Sequence, residues 1–371
     1  MEIGFKNSVD IRAPIIQRLA LVCFRNYRRE EVLPGPGFNI VSGANAQGKT
    51  NLLEAVYLVS TGRMLRGSRD SQAVMHGEDS AVVESELGGT GTTVAIELRR
   101  GVRKRVLLNG ASLTRPSDLL GRLPTVSFSG ADLEIVRGDP SERRHFLDTE
   151  LSQLYPAYLR HLSVYKRALE QRNALLRAAQ EHDQPPDTFE PWEVQIAEHG
   201  TEIRRYRREW VDAIAPLVAE AHAELGGGER VSLSYIERDE GELLATLAEG
   251  RSDDVRRGST GVGPHRDDLA IEIGGTEARQ FGSQGQQRTA VIALKLAVLR
   301  SATAVLGVPP VLLLDDVFSD LDKCRRARLV ERALEVGGQA FLTCTEPEQA
   351  GVELVGRSKV FRVVSGSVTE S

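Results

Sequence analysis

Short apolar runs and helically spaced apolar residues divide the first third of the chain into recognisable elements. Residues 16–22 partly alternate as a strand does, and FNIVS at 38–42 is an apolar run bounded by glycines, which is typical of a buried strand. Residues 51–60 carry apolar side chains at helical spacing, and residues 81–113 alternate around the turn signals GGTG and NG. We therefore predict two strands, a helix and then a meander of strands.

The middle of the chain has the periodicity of long helices. One helical stretch covers residues 140–180 and a second covers 192–225, with the Pro-rich segment 183–191 between them. This pattern predicts an antiparallel helical hairpin, in which Pro156 and Pro216 kink or divide the helices. The heptad pattern is too short and irregular for an extended coiled coil.

The last third returns to alternating strand and helix patterns, after a strand in VSLSYIE and a linker of mixed charge and glycine at 238–263. The predicted elements are a strand at 269–273, a helix at 284–306, a strand at 311–314, a helix at 323–336 and a strand at 339–343. The predicted fold class is therefore α/β, with a mixed sheet and helices in one head that a helical second lobe splits in sequence. The predicted boundaries are 1–128 and 263–371 for the two halves of the head, and 129–262 for the helical lobe.

Composition and charge restrict the partners that such a chain can have. The chain has 371 residues, of which 41% are hydrophobic and 27% charged, an ordinary soluble composition. The absence of a run of 18 apolar residues predicts that no segment spans a membrane. Cys23, Cys324 and Cys344 are far apart, which argues against a disulfide framework or a zinc site and predicts a cytoplasmic protein. The net charge of −5 argues against general nucleic-acid affinity, so any DNA-binding surface must be local.

Eight consecutive residues fit the phosphate-binding pattern G-x-x-x-x-G-K-[ST], between the buried strand and the first helix. They are Gly43, Ala44, Asn45, Ala46, Gln47, Gly48, Lys49 and Thr50. Successive backbone N–H groups would point at phosphate, Lys49 would reach the β- and γ-phosphates, and the Thr50 hydroxyl would bind Mg²⁺. Asn51 opens a helix whose positive end faces the same anion. The alternative is a chance glycine-rich turn, which the flanking strand and helix disfavour.

The apolar run at 311–314 ends in two carboxylates, Asp315 and Asp316. At the end of a strand beside the P-loop, Asp315 would hold Mg²⁺ and Asp316 would orient or deprotonate the attacking water. Alone this pattern is weak, because many buried strands end in aspartate. Together with the P-loop it predicts ATP hydrolysis, with Lys49 and Asp316 as catalytic residues.

A third motif, Ser283, Gln284, Gly285 and Gln286, precedes a predicted helix. It resembles the S-G-G-Q signature of the ABC ATPases, in which a serine hydroxyl and glycine N–H groups form an anion site at a helix start. In that family the signature faces the γ-phosphate bound by the other subunit. The resemblance therefore implies that Ser283 is a catalytic residue in a site shared by two copies. The alternative is an ordinary N-cap serine.

The order of these motifs narrows the resemblance to the SMC-like branch of the ABC ATPases and, within it, to the RecF family. A long helical insertion separates Lys49 from Asp315, unlike the ATPase subunits of transporters. The segments that carry the resemblance are FRNY (24–27), GANAQGKTNLLEA, GDPSERRHFLD, YKRALEQRNALL, GPHRDDL and FGSQGQQRT.

This resemblance implies a nucleoid-associated protein of DNA repair, recombination and replication. It implies a homodimer with ATP that binds double-stranded DNA and single-strand/double-strand junctions at gaps. It also implies partnership with RecR and RecO, which helps RecA load onto single-stranded DNA.

Other assignments rest on weaker signals. The resemblance places Arg25 and Asn26 near the nucleotide, and SDLD at 319–322 resembles the D-loop of the ABC dimer interface, which assigns Ser319, Asp320 and Asp322 to that interface. A helix N-cap is the alternative for the latter segment, and both can hold. Four arginines are candidates for DNA contact, with ordinary solvated or ion-paired surface arginine as the alternative: Arg63, Arg66, Arg204 and Arg208.

The chain also departs from the ABC pattern. Asp316 stands where transporters have glutamate, and FLTCTE offers Thr343 and Thr345 where a switch histidine is usual. Slow hydrolysis, with ATP as a switch, is the resulting hypothesis. The sequence does not identify the Q-loop residue, and we expect it within residues 128–132. Residues 265–268, His-Arg-Asp-Asp, look like a catalytic cluster but would point to opposite faces of a strand, so a structural role is favoured.

Three other functions remain open from the sequence alone. A transporter-associated ATPase would need a membrane partner, and the long insertion argues against it. A passive ATP-binding module would not need the two carboxylates at 315 and 316. A nuclease would need a second acidic metal site, and none is apparent in the sequence.

Overall fold

The computed structural model describes residues 13–65, 70–89, 91–182, 185–226 and 228–371. The strands are β1 (Ile15–Phe24), β2 (Tyr27–Val32), β3 (Phe38–Ser42), β4 (Ser80–Gly88), β5 (Thr92–Arg99), β6 (Val102–Leu108), β7 (Ala111–Ser112), β8 (Thr125–Phe128), β9 (Val231–Ile236), β10 (Asp268–Ile273), β11 (Thr276–Glu277), β12 (Val311–Leu314), β13 (Ala340–Cys344), β14 (Lys359–Val364) and β15 (Ser367–Glu370). The helices are α1 (Lys49–Thr61), α2 (Glu134–Arg137), α3 (Pro140–Leu154), α4 (Pro156–Glu181), α5 (Glu190–Glu224), α6 (Leu243–Glu249), α7 (Arg251–Arg257), α8 (Ala278–Phe281), α9 (Gln284–Leu306), α10 (Lys323–Val336) and α11 (Val352–Val355).

The chain divides by its internal contacts into two compact units. The head unit contains residues 1–131 and 299–371, and the insertion unit contains residues 132–298. The sequence-based boundary at 262/263 differs from this division, which groups residues 263–298 with the insertion unit. The reason lies in strand pairing, because β10 pairs along its whole length with β9.

The central sheet of the head unit has the strand order β15-β14-β3-β13-β12-β8. Every neighbouring pair is parallel except β14 and β15, so the predicted mixed sheet is confirmed. All residues of β3, β12 and β13 are buried, which is typical of strands covered on both faces. Because parallel strands end at the same edge, the segments that follow β3 and β12 lie on one side of the sheet.

Helix α1 is the central core element of the head unit. Its residues from Leu52 to Thr61 are all buried, and it packs against the central sheet and a second, antiparallel sheet. The second sheet has the order β2-β1-β4-β5-β6-β7 and corresponds to the predicted meander. A helix that is apolar on all sides needs such double coverage. The core thus fixes the helix that starts at the P-loop.

The insertion unit contains the predicted helical hairpin of α4 and α5. Pro156 is the first residue of α4 and divides it from α3, as expected. Pro216 lies inside α5, which continues to Glu224, so the helix does not end there. The predicted linker at 238–263 is wrong in part, because it contains α6 and α7, whose seven residues each are too short for a clear periodic pattern.

One helix among the described residues, α9, is long and apolar enough by length and composition to cross a membrane. The apolar window of α9 is 72% buried within the protein. Core helices of soluble proteins have the same property, so the pattern carries no membrane assignment.

A fully buried arginine joins the helices of the insertion unit. The Arg172 guanidinium on α4 forms ion pairs with Glu193 of α5 at 3.0 Å and Asp254 of α7 at 2.7 Å. It also donates to the Thr260 hydroxyl and the Leu247 carbonyl. Removing one partner of a buried ion pair leaves the other charges uncompensated in a low-dielectric interior.

We expect Arg172→Leu to lower the free energy of unfolding by about 3–5 kcal/mol, the usual cost of breaking a buried pair. Urea titration followed by tryptophan fluorescence measures it, because both tryptophans, Trp192 and Trp210, lie on α5. Arg256→Leu is the matched control, since that side chain is 78% exposed. Equal midpoints for the two variants would contradict a stabilising role of the buried network.

Candidate functional site

The P-loop follows β3 and wraps over the start of α1. Gly43 and Gly48 have φ angles of +149° and +120°, which L side chains rarely adopt. A Cβ on Gly43 would collide with the Val363 carbonyl of β14. The first turn of α1 has no side-chain cap and no acidic residue. The backbone N–H groups at this helix start are therefore available to an anion.

The Lys49 side chain lies over the loop that precedes it. Its ammonium donates to the carbonyls of Gly43 at 2.6 Å and Ala44 at 2.9 Å. This position keeps the charge inside the P-loop, where a phosphate would replace the two carbonyls as a stronger acceptor. The predicted phosphate-binding role of Lys49 therefore fits the geometry.

Thr50 and Asp315 meet at the carboxyl edge of the central sheet. The Thr50 hydroxyl donates to Asp315 Oδ1 at 2.8 Å, and Thr343 on β13 donates to the same oxygen at 2.9 Å. A hydroxyl and a carboxylate oxygen are hard ligands of the kind that Mg²⁺ prefers. The two side chains are adjacent and their donors would fit the ion, and their role as magnesium ligands stays a prediction.

Thr343 has a second role that the sequence argument missed. Its hydroxyl also accepts the backbone N–H of Asp316 at 2.8 Å, so one side chain positions both carboxylate residues. From the sequence alone, Thr343 stands out only because a histidine is usual in this region of ABC ATPases. Its role depends on strand order, because β13 lies between β3 and β12.

Backbone strain is concentrated at these positions. Ala46, Arg25 and Asp316 have left-handed φ angles of +63°, +53° and +52°. Residues other than glycine in this region carry a cost of about 1–3 kcal/mol, and such strain clusters at functional sites. The strained Asp316 directly follows Asp315, the predicted magnesium ligand.

Two side chains near the start of the chain brace the P-loop. Asn26 donates to the Gln47 carbonyl at 2.8 Å and accepts from Asn51 at 2.8 Å. Arg25 instead pairs with the buried Glu54 on α1 at 2.7 Å. Their assignment to the nucleotide stays a prediction: the contacts of Asn26 support the loop, and the ion pair of Arg25 supports the helix that follows it.

The β14–β15 hairpin also holds the P-loop, although no local pattern in the sequence indicates this contact. The Gln47 side-chain carbonyl accepts the Ser365 N–H at 2.6 Å, and its backbone carbonyl accepts the Gly366 N–H at 3.1 Å. Ser365 and Gly366 form the turn between β14 and β15. The nucleotide loop thus depends on residues more than 300 positions further along the chain.

The signature motif begins α9 in the insertion unit. Ser283, Gln284 and Gly285 are exposed. The Ser283 hydroxyl accepts the Gln286 N–H at 3.3 Å, and the Gln286 side chain accepts the Ser283 N–H at 2.7 Å. This is a capping box. The N-cap alternative therefore describes the motif in this structure, and exposure leaves it open to a second molecule.

The segment that resembles a D-loop likewise caps a helix in this structure and is also a candidate for the dimer interface. Its first two residues belong to a 3₁₀ turn at Val317–Asp320, and Asp322 caps α10 by accepting the N–H groups of Cys324 and Arg325. The side chains of Ser319 and Asp320 lie outside the described part of the structure. The interface assignment of all three residues stays a prediction.

One predicted DNA contact is wrong. Arg204 is buried, because its guanidinium forms bidentate pairs with Asp267 and Asp239 at distances between 2.6 and 2.9 Å. Arg208 is exposed and pairs with Glu237, and Arg63 is exposed after α1, so both stay predictions. Arg66 lies outside the described residues.

The His-Arg-Asp-Asp segment at 265–268 belongs to a buried structural network. Asp267 binds Arg204, Asp268 binds Arg143, and His265 contacts the Tyr165 hydroxyl. Burial lowers the pKa of His265 to about 4, so its ring is neutral at pH 7. These contacts favour the structural interpretation over a catalytic one. The described ranges contain no group of three or more His, Cys, Asp or Glu side chains placed to hold a metal ion.

Comparison with known families and proteins gives consistent matches over nearly the whole chain. Residues 15–365 match the family described as RecF/RecN/SMC N terminal domain. The chain is 40% identical to the DNA replication and repair protein RecF of Symbiobacterium thermophilum, over 95% of this chain and 97% of that protein. It is 37% identical to the RecF protein of Synechocystis sp., over 96% of this chain and 98% of that protein.

Solved structures show the same similarity. The recombination mediator protein RecF-ATP in the RecFOR pathway superposes with a TM-score of 0.88 at 31% identity, covering 97% of this chain and 98% of that one. An Smc head domain from Pyrococcus furiosus has a TM-score of 0.57 at 18% identity, covering 96% of each chain. The latter shows a common fold, the ABC-type head that the motif order had indicated.

Proposed function

This chain belongs to the RecF family of DNA replication and repair proteins, and from that premise we propose that it is an ATP-dependent DNA-binding switch. Two copies close around ATP, and the closed pair binds double-stranded DNA. The observation that carries the proposal is the meeting of Lys49, Thr50 and Asp315 around the P-loop, with Thr50 and Asp315 joined at 2.8 Å. ATP-bound structures of RecF relatives support the same ligand for this site.

Each residue has a defined task in this proposal. Lys49 turns from the Gly43 and Ala44 carbonyls to the β- and γ-phosphates. Thr50 and Asp315 would hold Mg²⁺, and the bound ion would supply positive charge against the phosphates. Asp316 orients the attacking water, and Ser283 of the second copy faces the γ-phosphate. The exposure of Ser283 supports this shared site.

The finer functional assignments rest on the family. The RecFOR pathway named for solved relatives supports partnership with RecR and RecO, and through them RecA loading at gaps. Preference for single-strand/double-strand junctions and a cytoplasmic, nucleoid-associated location follow from the same argument. Arg63 and Arg208 are the remaining candidates for DNA contact.

Fluorescence anisotropy of labelled duplex DNA tests the switch. At fixed salt, we expect DNA affinity to rise with ATP but not with ADP or without nucleotide, and light scattering should show the dimer only with ATP. Equal DNA affinity in the three conditions would contradict the proposal. A gapped duplex compared with a blunt duplex of equal length then measures junction preference.

We expect hydrolysis to be slow. Asp316 is one methylene shorter than glutamate, and Thr343 and Thr345 stand where a switch histidine is usual, so water activation is weak. Steady-state turnover, measured as phosphate release with saturating ATP and DNA, should lie well below about 10 per second, the median for enzymes. Turnover above that rate would exclude ATP as a slow switch.

A further inference from the structure

The start of α9 is held in place by its own side chains and by one acidic neighbour. Within the capping box, the Gln286 amide oxygen accepts the Ser283 N–H. The amide nitrogen of the same side chain donates to the carboxylate of Glu229. Glu229 comes just before β9, where the chain returns from α5. The signature motif is therefore tied to an anion of its own chain.

Several features fix this carboxylate at the helix start. The Glu229 side chain lies beside Gly274 in the turn between β10 and β11, where an added Cβ would come within 3.5 Å of its carboxyl carbon. The Gly274 N–H donates to the Arg230 carbonyl at 2.9 Å, which extends the β9–β10 pairing by one residue next to Glu229. Among the described residues no lysine or arginine lies within ion-pair distance of Glu229. In the described part of the chain, the hydrogen bond that this carboxylate accepts at the helix start comes from the Gln286 amide.

The amino-terminal end of a helix attracts anions because its unpaired N–H groups and aligned peptide dipoles carry partial positive charge. In the shared site proposed above, that end of α9 has to accept the γ-phosphate held by the other copy. Glu229 and the phosphate would then present like charges to the same helix end. In the unpaired molecule only Glu229 is present.

We propose that Glu229 acts as the anion at the start of α9 in place of the γ-phosphate, and that it thereby opposes ATP-driven dimerisation. It stabilises the signature motif in the monomer and repels the phosphate that approaches during closure, so that the dimer forms only at high ATP occupancy. This inference rests on the proposed function and identifies the regulation of the same site. Because a symmetric dimer has two such sites, the contribution of Glu229 to the free energy of dimerisation is doubled.

The variant Glu229→Gln keeps a hydrogen-bond acceptor for Gln286 and removes the charge. A charge at a helix end changes an equilibrium by about 1.6-fold to fivefold per site. For two sites we expect the ATP-bound dimer of the variant to dissociate at a concentration about threefold to thirtyfold lower than wild type. Sedimentation velocity with ATP and Mg²⁺ gives this constant. Glu181→Gln, an exposed position at the end of α4, is the matched control and should equal wild type.

Measuring the dimer dissociation constant at several salt concentrations distinguishes charge repulsion by Glu229 from a structural effect of the substitution. Because ions screen exposed charges over about 10 Å at 0.1 M and 3 Å at 1 M, the difference between Glu229→Gln and wild type should shrink towards none at 1 M salt. A dimer constant for Glu229→Gln equal to or weaker than wild type at low salt would overturn the inference while leaving the switch intact. Failure of wild type to dimerise with ATP would overturn the proposed function and this inference with it.

Discussion

Lys49→Met should lose ATP binding and with it both ATP-dependent dimerisation and DNA affinity. The Lys49 ammonium lies inside the P-loop, 2.6 Å from the Gly43 carbonyl, so it reaches a bound phosphate with little rearrangement. Methionine has a similar length but no charge and no donor. A hydrogen bond to a charged group contributes about 1.5–3 kcal/mol, which corresponds to about a 10- to 150-fold loss of ATP affinity.

Equilibrium binding of a fluorescent ATP analogue measures the first effect, and light scattering and DNA anisotropy on the same samples measure the others. Lys359→Met on β14 is the control, because that ammonium binds the Leu33 carbonyl and Glu370 at the sheet edge. If Lys49→Met lost ATP affinity but kept strong DNA binding, ATP would not be the switch. The search for the DNA surface would then move to the insertion unit.

Ser283→Arg should separate ATP binding from dimerisation. Ser283 lies in the insertion unit and the P-loop in the head unit, so we expect ATP affinity to stay within about twofold of wild type. The arginine side chain would fill the exposed helix start that the second copy has to approach. Overpacking of a close contact costs about 1–3 kcal/mol per site, so two sites weaken the dimer by about 30-fold to 20,000-fold. ATP hydrolysis should fall to background.

A second substitution controls for damage to α9. Loss of an N-cap serine costs about 0.5–2 kcal/mol, and Ser283→Asp retains a good capping side chain. Its negative charge would repel the γ-phosphate, so Ser283→Asp should also fail to dimerise while its circular dichroism and thermal midpoint stay near wild type. Ser163→Arg, at an exposed position on α4, should dimerise normally. A Ser283→Arg protein that still dimerises with ATP would exclude the shared site.

The sequence predicted those parts of the fold whose pattern is local. The strand before the P-loop and helix α9 were predicted at the bounds that the structure shows, and β12 at its full extent. In each case an apolar run or a neighbouring glycine motif marks the element. The position of the P-loop between β3 and α1 and the closeness of Thr50 and Asp315 also follow from the sequence, because both segments come directly after strands that end at one edge of the sheet.

What the sequence could not predict depends on residues distant along the chain. Arg204 is a candidate for DNA contact from the sequence, yet Asp239 and Asp267 come from other segments and pair with it in the interior. Edge strand β8 has no motif, and it joins the sheet only through pairing with β12. The support of the P-loop by Ser365 and the bridging by Thr343 likewise depend on strand order, which no local pattern encodes.

The order of the central sheet has a consequence for synthesis on the ribosome. Strand β3, which carries the P-loop, is made early, but its two neighbours, β13 and β14, are made about 300 residues later. At about 5–20 residues per second this leaves β3 without partners for roughly 15 to 60 seconds. The insertion unit is continuous in sequence and can fold during that time. A nascent chain therefore cannot complete its P-loop site until β13 and β14 have been made, and the apolar strand β3 lacks its partners until then.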